Sequence, residues 1–357
     1  MPVRRFGEER FAGEGARVLL TGNAMHADLG PNQAGGAVFG WLLAMLGQDV
    51  GFPAPEGGAG AITDALVARL RARGGTLECG RRVARVLVAG GKAVGVRTAD
   101  GDVVRAGRAV LADVPAPALY LDLLDPAALP ARFVADVRRV DWDDATIKLD
   151  WALSGPIPWS AAEPQLAGTV HLGVDSDGFV GVDADLGRTR VPAEPFLLMG
   201  QMTTADPTRS PAGTESVWLY SHVPRGGHWP VERVREWADR VEAVVERHTP
   251  GFRDLVVGRV ASGPRELEGG NPGLVGGAVN SGTAGVHQQL VFRPTPGLAR
   301  ADTPVERLFL ASASAHPGGG VHGAPGANAA RAALASRSWY GPACRAGMRA
   351  VSRTLHG

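Results

Sequence analysis

Five glycines crowd the stretch ASASAHPGGGVHGAPGANAARAALA (311–335): Gly318, Gly319, Gly320, Gly323 and Gly326. The apolar run RLFLA leads into them and an alanine-rich stretch follows, so the segment reads as strand, glycine turn and helix. Backbone N–H groups at such a helix start can hold an anion or a ring oxygen. The helix dipole favours negative charge there, and absent side chains admit a close approach. Gly318, Gly320 and Gly323 also satisfy G-x-G-x-x-G. The dinucleotide fingerprint further requires a βαβ unit of about 30 residues and an acidic residue about 20 positions on. Neither a second strand nor any Asp or Glu follows Gly323. The fingerprint reading therefore fails, which leaves a ligand-facing loop or a structural turn.

A second glycine-rich helix start, PEGGAGAITDAL, carries Gly57 and Gly58 and reads either as a connector or as a second backbone approach to a ligand. His316, His322 and His287 lie near glycine-rich turns, where each is an acid/base candidate or a hydrogen-bonded structural histidine. Lys148, in TIKLDWAL, either faces solvent or points into a cavity and holds a water. Cys79 and Cys344 stand far apart with no C-x-x-C, which excludes a dithiol redox centre and a structural zinc site. No His/Asp/Glu spacing supports a metal, and no G-x-S-x-G supports a hydrolase triad.

These residues need a scaffold, and 357 residues suggest two domains. A net charge of +1 with dispersed arginines gives no field for nucleic acid. MPVRRFGEERF lacks the apolar core of a secretory signal, and two cysteines fit a reducing compartment, so a cytoplasmic location is expected. The longest apolar run, AVFGWLLAML (37–46), falls short of the ~20 residues that span a bilayer. It is expected to be a buried core helix, with a substrate-pocket lining or a membrane-surface contact as alternatives.

The segment up to Leu46 reads as helical, and a Pro/Gly loop follows. ITDALVARLRARGG forms an amphipathic helix with Ile62, Leu66 and Leu70 in one stripe. A β-meander runs through 83–89, 93–98 and 103–106, with an Asp100-Gly101 turn, and AVLA (109–112) reads as a strand buried on both faces. Longer strands at 146–153, 196–202 and 216–223 predict a second, mainly antiparallel sheet. The helix 230–248 starts at Pro230 with an apolar stripe of Val231, Val234, Ala238, Val241 and Val245.

Two long segments carry a family resemblance. PEGGAGAITDALVARLRARGGTLECGRRVARVLVAGGKAVGVRTADGDVVRAGRAVLADVPAP resembles the region after the first third of phytoene-desaturase-like flavoproteins, in the FAD-dependent amine oxidase superfamily. RPTPGLARADTPVERLFLASASAHPGGGVHGAPGANAARAAL is similar to that family's C-terminal end, with its Arg-Pro-x-Pro-Gly and His-Pro-Gly-Gly-Gly-Val-x-Gly-x-x-Gly. The most similar subgroup is labelled pyridine nucleotide-disulphide oxidoreductase domain-containing. The resemblance implies an α/β protein: an incomplete Rossmann-like FAD/NAD(P)-binding domain plus an α+β substrate domain with a mainly antiparallel sheet. Residues 1–52 and 118–300 would form the substrate domain, and 53–117 and 301–357 the FAD domain.

By the same resemblance, Val83 would meet the adenine side of FAD. Pro317, Gly318, Gly319, Gly320, Val321 and Gly323 would lie along the isoalloxazine and ribityl chain, with Gly57 and Gly58 approaching the flavin from the other side. Lys148 would hold a water near the flavin, and His316 is the acid/base candidate beside the loop. The implied activity is hydride transfer from an apolar or amine substrate to flavin N5. Family members begin with a strand–GxGxxG–helix unit, and none precedes Phe52 here. The chain is therefore expected to be N-terminally truncated relative to the family, with a non-catalytic binding protein as the rival reading.

Overall fold

The structure, a computed structural model, describes residues 1–297 and 299–356. Its helices are α1 (Val3–Arg10), α2 (Glu14–His26), α3 (Gly36–Asp49), α4 (Gly60–Arg71), α5 (Ala131–Val137), α6 (Ser176–Gly187), α7 (Val231–His248), α8 (Phe252–Leu255), α9 (Pro264–Gly270), α10 (Ala324–Ala335) and α11 (Gly341–His356). Its strands are β1 (Val83–Ala89), β2 (Lys92–Thr98), β3 (Val103–Arg105), β4 (Val110–Ala112), β5 (Ala145–Leu153), β6 (Thr169–Leu172), β7 (Leu197–Gln201), β8 (Glu215–Val223), β9 (Val256–Ser262) and β10 (Leu308–Leu310).

The chain divides into two compact units, one of 1–77 with 144–278 and one of 78–143 with 279–357. Two boundaries differ from those expected. Residues 53–77 join the first unit, where the Gly57 amide donates to the Asp206 carboxylate at 2.7 Å. Residues 118–143 and 279–300 join the second, where the buried Asp143 carboxylate accepts from the amides of Val279 and Asn280.

The first unit is built on a five-stranded antiparallel sheet in the order β6-β7-β8-β5-β9. Alternation sends Ile147, Leu149, Trp151, Val217, Leu219 and Met199 to one face, where they pack on α7. That helix buries Val234, Trp237, Ala238, Val241, Val244 and Val245, and Trp237 Nε1 donates to Ser221 Oγ at 3.0 Å. Val231, expected in the stripe, is 48% exposed in the first turn. On the opposite sheet face Phe196 and Leu198 pack with Phe179 and Val182 of α6 and Met25 of α2.

The second unit joins the meander β1-β2-β3 to a parallel pair, β10 and β4, in which Leu308 faces Val110. Val86 and Ala93 pack with Leu119, Tyr120, Phe133, Leu308 and Leu310, and α10 lays Ala329 and Ala332 against Phe309. The parallel pair with α10 behind it is the Rossmann-like portion.

Three expectations are corrected. AVFGWLLAML lies in α3, but it is not a buried core helix: only Gly36, Ala37 and Gly40 of α3 are buried, and Val38, Trp41 and Leu42 are exposed. The α4 stripe of Ile62, Leu66 and Leu70 forms as expected yet no residue of α4 is buried. Leu111 of β4 is 43% exposed, so AVLA is not covered on both faces. No described helix is long and apolar enough to cross a membrane.

Candidate functional site

The glycine-rich loop runs from β10 to α10 in the second unit and needs its glycines unequally. Gly318 has φ +109° and Gly320 φ +149°, conformations that side chains other than hydrogen rarely allow, and Gly323 caps α10 at φ +60°. One side of the loop is backed by protein: a Cβ at Gly318 would sit 3.3 Å from Arg293 Cζ, and one at Gly319 would sit 3.1 Å from Asn280 Oδ1. The other side is open, with Val321 94% exposed and Pro317 exposed. Pro325 enters the first turn of α10, which carries no acidic residue, so the dipole's positive end is uncompensated by charge.

His322 and His316 differ. His322 Nδ1 accepts from the Ala324 amide at 3.0 Å, a structural cap of the helix start. His316 Nδ1 is buried with no hydrogen-bond partner. A buried polar atom without a partner costs free energy, so a ligand that supplied one would be favoured at this position. Asn328 of α10 donates to the His316 carbonyl at 3.4 Å, tying the loop's start to the helix. His287 is a surface residue, its Nε2 3.4 Å from Asp141 Oδ2.

Val83 opens β1 in the same unit, half-buried and opposite Thr98 of β2. Gly57 and Gly58 belong to the first unit, with φ +79° and +101°. Their turn is engaged within that unit by Asp206, and a Cβ at Gly58 would sit 2.7 Å from Arg209 Cζ. The Thr208 hydroxyl and the Gly57 amide hold the Asp206 carboxyl below its ordinary range. Lys148 also lies in the first unit, on the sheet face opposite α7 and paired in register with Tyr220. Its Nζ is bound by both oxygens of Asp150, and the two side chains are 41% and 44% exposed. This face carries Trp218 and Tyr220, stacked at 10° with centroids 6.0 Å apart.

Several polar residues were not singled out as site residues from the sequence, although Arg293 opens its Arg-Pro-x-Pro-Gly motif. Arg293, 3% exposed, and Asp143, also 3% exposed, grip the segment beneath the glycine loop. In the first unit His26 Nδ1 and His171 Nε2 lie 3.2 Å apart, and burial pushes His171 down to about 4. A cavity of about 580 Å³ in the second unit is lined by Tyr120, Phe133, Leu308 and α11, and none of the loop residues 316–323 lines it. Among the described residues no group of three or more His, Cys, Asp or Glu could hold a metal.

The second unit thus holds a strand–glycine–helix loop open on one face together with a meander, and the first unit holds an antiparallel sheet. The profile of the family described as flavin containing amine oxidoreductase matches residues 4–171. The match covers just under half of the chain. The chain is 27% identical over 349 residues to the rat (Rattus norvegicus) pyridine nucleotide-disulfide oxidoreductase domain-containing protein 2, covering 92% of this chain and 60% of that one. It is 29% identical over 316 residues to a zeta-carotene-forming phytoene desaturase of Myxococcus xanthus, covering 87% and 57%. The chain thus spans about 60% of the length of these curated relatives.

Solved structures show the same fold. An oxidoreductase from Methanosarcina mazei aligns with a TM-score of 0.61 at 19% identity, over 93% of this chain and 67% of that one. A putrescine oxidase with bound putrescine aligns with a TM-score of 0.57 at 15% identity, over 94% and 67%. The fold is that of the FAD amine oxidases, and the cofactor the family implies is FAD. The residues of the loop fit such a group: an open glycine face, a helix start with no acidic residue in its first turn, and an orphaned imidazole nitrogen.

Proposed function

We propose that this chain acts as an FAD-dependent oxidoreductase of the phytoene-dehydrogenase type, on an apolar substrate, with an amine as the second choice. The observation that carries the reading is the glycine loop, in which Gly318 and Gly320 hold backbone conformations that side chains disfavour while Pro317, Gly319, Gly320 and Val321 leave one face exposed. FAD, when bound, accepts a hydride at its N5 from a substrate C–H, so the protein needs no strong acid/base constellation of its own. Pro317, Gly318, Gly319, Gly320 and Val321 would offer backbone to the flavin end, with Gly323 and the start of α10 turning amides toward its polar atoms. Val83 would serve the adenine side through its backbone, and Gly57 and Gly58 would offer backbone to the flavin. His316 would donate or accept one hydrogen bond through Nδ1.

The aromatic sheet face supports the substrate class. Trp218 and Tyr220 are half-buried against the cluster of Met25, Phe179 and Phe196, and the parts of their rings left exposed would give apolar surface to a hydrocarbon and attract a cationic amine. Lys148, already neutralised by Asp150, would orient a water rather than contribute charge. The exposed Val38, Trp41 and Leu42 of α3 suit contact with a membrane surface from which an apolar substrate is drawn.

The test is reduction by substrate. FAD-loaded protein held without oxygen should lose its visible flavin absorption on adding a carotenoid-type polyene, and more slowly or not at all on adding a diamine. A loaded protein bleached by neither, while dithionite still reduces it, would favour a binding protein over an enzyme.

A further inference from the structure

We infer that Arg293 is the positioning residue of the glycine loop, clamping the segment 280–283 and the backbone of Ala313 into one rigid floor beneath Gly318 and Gly319. Its guanidinium is spent entirely on backbone carbonyls. Nε and Nη2 donate to Ala313 O at 3.0 and 2.8 Å, Nη1 to Thr283 O at 2.8 Å, and Nη2 also to Asn280 O and Gly282 O at 3.2 Å each. Irregular segments leave such carbonyls without sheet or helix partners, and a planar fork of five N–H donors can satisfy several at once. Asp143 grips the same segment from its other end, accepting from Val279 N at 2.6 Å and Asn280 N at 2.9 Å. Ser314 adds a third tie, donating to Ser281 O at 2.9 Å and accepting from Ala116 N at 3.0 Å.

The floor shapes the loop directly. Gly318 lies over the guanidinium so closely that a Cβ would sit 3.3 Å from both Cζ and Nε, and Gly319 lies over Asn280. Burial draws the guanidinium down to about 10, opposed by the Asp143 charge, so it is cationic at neutral pH. A lysine could keep that charge, but its ammonium cannot reproduce the planar fork that spans residues on both sides of the floor. That the loop so held receives flavin rests on the function proposed above, whereas the clamp itself does not.

The experiment is hydrogen exchange by mass spectrometry on the full chain and on Arg293→Lys and Arg293→Met, with FAD titrated in parallel. Reporter amides are Thr283, Ala315 and Gly318, which donate to Asp141 O, Ser312 O and Ala315 O. Both variants should exchange these amides at least ~10-fold faster, with the β1–β2 ladder and the five-stranded sheet unchanged, and FAD affinity should fall by a similar factor where the parent chain binds it. Unchanged exchange at the three amides overturns the inference, and so does uniform loosening of the whole second unit. If neither Arg293 variant folds, Asp143→Leu, which leaves no acceptor, should free the Val279 and Asn280 amides and the loop with them, and a loop left protected there overturns the clamp. A parent chain that binds no FAD but loosens as described refutes the flavin reading alone and supports the clamp.

Discussion

Replacing Gly318 by Ala should destabilise the second unit far more than the same change at Gly323, because the two glycines differ in strain and in room. Gly318 holds φ +109° with a Cβ position 3.3 Å from Arg293 Cζ, and that guanidinium cannot withdraw without surrendering bonds to four carbonyls. Backbone strain of this kind costs on the order of 1–3 kcal/mol. Stretching, rather than losing, one of its hydrogen bonds adds about 1 kcal/mol. Gly318→Ala should therefore cost about 2–4 kcal/mol. Gly323 holds φ +60° with nothing within 4 Å of its Cβ position, so Gly323→Ala should cost only the left-handed penalty, about 1 kcal/mol. Urea titration followed by circular dichroism, with the slope held common to both variants, reads the difference. A Gly318→Ala variant within about 0.5 kcal/mol of the parent, or a costlier Gly323→Ala, would refute the claim that the loop is held over a fixed floor.

Three further outcomes follow from the first unit. Lys148→Met removes a half-exposed ion pair with Asp150, and exposed pairs are worth about 0–1 kcal/mol; thermal unfolding should hardly move, and a large loss would mean the pair is structural. Burial depresses His171 to about 4, so the unfolded chain binds its proton first as pH falls below 6.5. His171 thus contributes about 2 kcal/mol to a loss of stability by pH 5, added to that of buried His222, so urea midpoints should fall less steeply with pH in His171→Gln than in the parent. Trp41 fluorescence should shift to the blue on adding anionic vesicles if α3 meets a membrane, and Trp41→Ser with Val38→Ser should abolish vesicle sedimentation.

Much of the scaffold was legible in the sequence, for a physical reason that also marks where legibility ended. The strands at 146–153 and 216–223 alternate cleanly because one face is sealed by α7, and the α7 stripe is read from its own period. The edge strands β6 and β9 were missed: β6 has only four residues, and β9 is largely exposed, so alternation is weak in both. Helix α6 was missed too, since its two internal glycines argue against a helix that Asp175 nonetheless starts by accepting from the Gly178 amide. Apolar periodicity names a face and not its cover, which is why α3 and α4 are apolar and exposed together. At the candidate site the glycines announced themselves, because tight conformations demand them. Of the residues that hold them, Arg293 showed only as part of the Arg-Pro-x-Pro-Gly motif and Asp143 and Asp206 not at all, because all three act through contacts between distant stretches; Asp206 bonds an amide 149 positions away.

The most direct test of the central claim is equilibrium binding of FAD to the purified chain, by flavin fluorescence quenching and visible absorption, beside Gly320→Val. A side chain at Gly320 would be strained at φ +149° and its Cβ would sit 2.7 Å from His322 Cδ2, so a branched residue there must reshape the exposed part of the loop. Saturable binding with a structured visible band, lost in Gly320→Val while its circular dichroism matches the parent, is the result expected. A parent chain that stays colourless and gains no thermal stability from FAD, or a Gly320→Val variant that binds as the parent does, would contradict the assignment of this loop to the flavin.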